Sequence, residues 1–163
     1  MNNPIINNKE ILESIEPIIQ LIAKELSLVV LEVTFNKEGS RHFLRIFIYN
    51  PKGPVTINDC TNMSRLLSTE LDTGDLIKVP YNLEVSSPGT NKKLKKPIEY
   101  EVFKNEPVKI ILKKAEAPEE KVIFGNLIGL TENNTAVLVE KDKQTYSFKL
   151  ENIKVVQLDD RNI

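Results

Sequence analysis

The chain has 163 residues, 40% of them hydrophobic, and a formal net charge of −1. That suits one ordinary domain or two small ones and excludes wholesale disorder. No apolar run approaches the roughly 20 residues of a membrane span. Met1-Asn2-Asn3-Pro4 places no basic region ahead of an apolar stretch, so neither a membrane span nor a secretory signal is expected. Cys60 is the sole cysteine, which excludes an intramolecular disulfide and fits a reducing, cytoplasmic setting.

Residues 5–26 predict a helix. Ile11, Ile15, Ile18, Ile22 and Leu26 recur at three- and four-residue spacings and make one apolar stripe. Pro17 removes a backbone donor inside it and is expected to kink or restart the helix. Leu31, Val33 and Phe35 alternate as a strand, residues 36–40 read as a turn, and Leu44, Ile46 and Ile48 alternate as the returning strand of a hairpin. Pro51-Lys52-Gly53-Pro54 breaks that strand. A second helix follows, with Thr56 as N-cap, Asp59 three residues on in a capping-box position, and Val55 with Cys60 as a hydrophobic staple. Cys60, Met63, Leu67 and Leu71 continue its buried face, and residues 72–75 end it. Tyr81-Asn82-Leu83-Glu84-Val85-Ser86-Ser87-Pro88-Gly89 then reads as a half-buried strand with a hard stop. The order helix, strand, strand, helix, strand predicts a small α+β layer with its helices on one sheet face.

From Pro107 the pattern changes to short strands. Val108, Ile110 and Leu112 alternate; an acidic loop at 116–120 precedes a strand at 124–130; 136–139 and 146–150 follow, joined by a polar turn at Asp142-Lys143. Residues 151–153 read as one tight helical turn before a last strand at 154–158. Even spacing and glycines at the bends predict a small barrel. Residues 159–163 are expected to fray.

The charge is uneven. Residues 1–86 carry eight bases against eleven acids, residues 87–114 eight lysines against three glutamates, and residues 115–163 six bases against nine acids. One cationic belt thus lies between acidic flanks.

The string LEVSSPG, read with DC-x-x-x-SR-x-L (Asp59, Cys60, Ser64, Arg65, Leu67) and Leu71-Asp72, closely resembles the RimP family of ribosome maturation factors. Three separated motifs agree in order and spacing. The resemblance implies an α+β fold in two domains. Residues 1–90 would form an N-terminal α/β sandwich, residues 91–163 a C-terminal Sm/SH3-like β-barrel, and the linker would fall at about 87–97. It further implies a non-enzymatic factor assisting assembly of the 30S subunit, with the immature subunit, its 16S rRNA and the small-subunit protein numbered twelve as partners; a monomer is expected. Where the family continues after SSPG with Leu-Asp-Arg-Pro-Leu, this chain has Thr90-Asn91-Lys92-Lys93-Leu94. An Asp–Arg pair is thereby lost, and a bidentate guanidinium gives way to an ammonium.

No constellation for chemistry is visible. His42 is the only histidine, and neither metal-ligand spacing, nucleophile elbow nor phosphate-binding loop appears. No cofactor is expected. The candidate RNA-binding residues are Ser86, Ser87 and Gly89, which offer hydroxyls and close backbone approach, and Lys92, Lys93, Lys95 and Lys96, which offer charge for phosphates. The plainer reading is a capped turn followed by a solvated, lysine-rich linker. The candidate contacts for a basic protein partner are Glu140, Asp142, Glu151, Asp159 and Asp160. Two other readings stand beside this one: a protein-only adaptor whose acidic domains grip a basic ribosomal protein, and an RNA-binding regulator on an Sm-like barrel, drawn from Gly125-x-Leu127.

Overall fold

A computed structural model describes residues 7–89 and 92–159. The chain forms two compact units, Met1–Pro88 and Gly89–Ile163.

The first unit runs α1 (Asn8–Glu25), β1 (Val29–Glu38), β2 (Arg41–Tyr49), α2 (Ile57–Gly74) and β3 (Tyr81–Ser86). Asn7 caps α1, its Oδ1 accepting from the N–H of Lys9 at 3.1 Å. The helix does not restart at Pro17. Pro17 is exposed, so the carbonyl it leaves unpaired faces water, while Ile15, Ile19, Ile22 and Ala23 bury the opposite face. Ile19 joins the stripe read from sequence; Ile11, Ile18 and Leu26 pack at its margin. The first residues of the expected helix, 5 and 6, lie outside the described residues.

β1 and β2 pair antiparallel from Val29↔Tyr49 to Glu38↔Arg41. The hairpin is tighter than the expected five-residue turn: only Gly39 and Ser40 connect the strands, with Gly39 at φ 63°. Two-residue hairpins need positive φ at the first position, which glycine takes without strain. A register shift between Val30 and Glu32 buries the neighbours Val30 and Leu31 together, so the alternation read from Leu31 breaks there. β3 lies parallel to β2, with α2 as the crossover, giving the order β1-β2-β3. Ile15, Ile19 and Ile22 of α1 and Met63, Leu67 and Leu71 of α2 share one core with Phe35, Leu44, Ile46 and Ile48. On β2, Arg45 binds Glu38 of β1 and Glu84 of β3, the latter at 2.7 Å, and its guanidinium lies 4.7 Å from the Phe43 ring centroid. The hydrogen bond from Arg45 holds the Glu38 carboxyl below the usual carboxylate range.

The second unit runs α3 (Pro97–Val102), β4 (Pro107–Glu116), β5 (Glu120–Leu130), β6 (Ala136–Lys141), β7 (Gln144–Lys149), a 3-10 turn (Leu150–Asn152) and β8 (Ile153–Leu158). All its ladders are antiparallel, in the order β7-β6-β5-β4-β8. β4 and β5 pair as far as Glu116↔Glu120, so the acidic loop is shorter than expected. Asp142 and Lys143, both at positive φ, make the two-residue β6–β7 turn. β6 packs tightly over Gly125: an added Cβ would sit 2.6 Å from the carbonyl oxygen of Glu140.

β7 and β8 are the two edges of this sheet, yet only the 3-10 turn separates them along the chain. A flat sheet would hold edge strands roughly 19 Å apart, more than the roughly 14 Å that four residues can span. The sheet is therefore strongly curled, and the described ladders define five antiparallel strands with none joining β7 to β8. Val108, Ile110, Leu112, Ile123, Leu127, Val137 and Phe148 are buried within the unit.

Candidate nucleic-acid interface

The lysine tract is not a free tether. Residues 92–94 run along the outer edge of β8: Leu158 donates to the carbonyl of Lys92 at 2.9 Å, Leu94 donates to that of Val156 at 2.8 Å, and Lys93 bridges Gln157. Leu94 is buried. Alternation across this edge turns Leu94 inward and leaves Lys93 and Lys95 exposed.

Glu99 pins the tract. It is 3% exposed, the one buried charged residue among those described. Its Oε1 accepts from the N–H of Lys95 at 3.3 Å and of Lys96 at 3.0 Å, and its Oε2 lies 2.6 Å from Nζ of Lys92. Glu99 is the third residue of α3, where a carboxylate reaches back to the helix start; Pro97 opens that helix, needing no N–H of its own. The cap is one-sided, because a lysine side chain has no acceptor to return the bond.

This geometry sorts the sequence candidates. Lys92 is committed to Glu99, with its side chain only 10% exposed. Lys93, Lys95 and Lys96 are exposed and form no ion pair among the described residues. Lys154 of β8 joins them. Lys93, Lys95 and Lys154 surround a cavity of about 300 Å³ whose floor includes Leu94, Tyr100 and Val156. Sequence reasoning missed Lys154 and Tyr100, because their neighbourhood depends on the pairing of residues 92–94 with a strand some 60 positions later. The Tyr100 hydroxyl donates to the carbonyl of Leu94 at 3.3 Å. Burial, and secondarily the Glu99 charge, push its pKa up to about 12.

Ser86 ends β3, and Ser87 is exposed just beyond it, both in the first unit. Gly89, the first residue of the second unit, has φ 84° and open space around it, so its glycine answers to backbone conformation rather than to a close neighbour. Asn91 lies outside the described residues.

The acidic candidates divide. Glu140 and Asp142 are exposed at the β6–β7 turn. Asp159 lies on the same end of the sheet, since its N–H donates to Pro107, which pairs with Asn126, which pairs with Glu140. Glu151, in the 3-10 turn beyond β7, is at the opposite end, a strand length of roughly 20 Å away. Asp160 lies outside the described residues.

His42 stacks on Phe35, ring centroids 5.6 Å apart, which gives it a cross-strand packing role. Burial raises the Cys60 thiol pKa, and the neighbouring Asp59 charge adds to the rise. Among the described residues, no three His, Cys, Asp or Glu side chains converge to hold a metal ion, and no helix is long and apolar enough to cross a membrane.

The protein is thus an α+β unit followed by a curled antiparallel sheet that carries open lysines along one edge. Residues 18–91 match the family model of the RimP N-terminal domain. Over those residues the first unit is similar to the N-terminal domain of the RimP family of ribosome maturation factors.

Proposed function

We propose that this chain is a non-enzymatic, monomeric, cytoplasmic factor that assists maturation of the 30S subunit. It binds 16S rRNA of the immature particle together with a basic small-subunit protein, the one numbered twelve. The observation that carries this reading is the set of open ammonium groups, Lys93, Lys95 and Lys154, around an apolar floor on a chain whose residues 18–91 match the RimP N-terminal domain. Lysine supplies compact, mobile charge suited to phosphate. An adjoining low-dielectric surface strengthens each such interaction. Residues 1–90 and 91–163 serve as the two domains, the second read as Sm/SH3-like. The curl of its five-stranded sheet supports that assignment.

Glu140, Asp142 and Asp159 supply a negative surface at one end of that sheet for the basic protein. Opposed charge speeds encounter with such a partner. Co-sedimentation of the purified protein with immature small subunits, before and after nuclease treatment, tests the reading. Binding that falls sharply after nuclease supports it. Binding that survives intact favours a protein-only adaptor.

A further inference from the structure

The two motifs most distinctive in the sequence meet in a place that the RNA reading does not use. The exposed polar face of α2, with Thr61, Ser64, Arg65 and Ser68, stands beside Leu83 and Val85 of β3 across a groove of about 490 Å³. β3 is an edge strand, so every second residue along it turns its N–H and C=O away from β2. At six residues it presents roughly 20 Å of such edge. The sheet's other edge is managed differently. β1 carries a register shift and ends in Lys37 and Glu38, devices that discourage pairing. β3 is regular throughout its pairing with β2 and has neither lysine nor proline within it.

From this geometry we infer that the groove between α2 and β3 binds an extended segment of a partner protein as a fourth strand, with an acidic side chain of that segment on Arg65. Strand addition supplies main-chain hydrogen bonds along β3, and the helix wall supplies selectivity. The charge of the groove sets the chemistry. Arg65 is exposed and has no ion-pair partner among the described residues. Glu84, which also lines the groove, has its carboxylate bound by Arg45, and the nearby Asp59 accepts from the Thr56 N–H at 2.9 Å in its own capping box. A guanidinium flanked by hydroxyls fits a carboxylate bidentately. Leu83 and Val85 offer apolar contact to alternate side chains of the incoming strand. This inference is independent of the lysine groove and of RNA.

The test uses the full-length, isotope-labelled protein. Its probe is an end-capped octapeptide of alternating threonine and valine with one central glutamate. Two further versions are N-methylated on opposite sets of alternate nitrogens. Binding should shift the amide signals of residues 81–86 and the Arg65 side chain, and slow hydrogen exchange at alternate β3 amides at least tenfold. One N-methylated version should lose at least tenfold in affinity while the other keeps it. Replacing the peptide glutamate by glutamine, or Arg65→Gln in the protein, should each weaken binding about tenfold. Three results would overturn the inference: no shift in β3 at millimolar peptide, equal binding of parent and both N-methylated peptides, or indifference to the glutamate. Self-association of the protein through β3, or an RNA oligomer shifting these amides where the peptide does not, would equally overturn it by assigning the edge to another occupant.

Discussion

Nζ of Lys92 lies 2.6 Å from Oε2 of Glu99, and both side chains are nearly inaccessible to water. One carboxylate thereby holds a lysine side chain and two backbone N–H groups of the same tract. Removing one member of a buried ion pair leaves the other charged and unpaired. Glu99→Ala should therefore destabilise the second unit by about 3 kcal/mol. Amide exchange at residues 92–96 should accelerate beyond that of the β4–β5 core. The double variant Lys92→Met, Glu99→Leu should recover much of the loss. Urea melts of the single and double variants check this.

Tyr100 gives the protein an alkaline limit. Its folded-state pKa, about 12, lies above the ordinary tyrosine value near 10. The folded state thus holds the phenolic proton more tightly than the unfolded chain does. The resulting stability is complete below pH 10 and is lost as pH rises towards 12, amounting to about 3 kcal/mol. Tyr100→Phe should lack that component of the alkaline loss. Stability measured from pH 9 to pH 11.5 in both proteins provides the comparison, with lysine titration common to the two.

Cys60 should behave as a packing residue. With its thiol pKa raised by burial, iodoacetamide at pH 8 should alkylate it several-fold more slowly than a free cysteine peptide. The rate should rise to the peptide value in denaturant. Mass spectrometry of timed samples reads both.

The acidic end of the second unit should govern encounter with the basic protein partner. Glu140→Gln with Asp142→Asn should lower the association rate constant severalfold at low salt, with little effect at high salt. Glu151→Gln, at the far end of the sheet, should change it little. Stopped-flow measurements with the purified small-subunit protein separate the two.

Much of the fold was legible because its determinants are local. The Thr56–Asp59 capping box, the alternation in β3 and the turn at Asp142-Lys143 each sit within a few residues of what they specify. Pro17 does not restart the helix, because its exposed side leaves the lost hydrogen bond to water, and only tertiary packing shows that side to be wet. α3 escaped notice because six residues carry too little periodicity to register. The lysine cluster was legible as charge but not as geometry. A repeat of like residues does not say which is spent internally, and the division between Lys92 and Lys93 arises from strand alternation along β8 and from a carboxylate on the following helix.

The salt dependence of RNA binding tests the central claim most directly. Affinity for 16S rRNA in the immature particle should fall with salt on a log–log plot. Replacing Lys93, Lys95 and Lys154 together by glutamine should flatten that slope by about two to three units, roughly 0.7–0.9 for each phosphate no longer neutralised. A triple variant that keeps its fold, its affinity and its slope would contradict the account, and would leave these lysines as solvation alone.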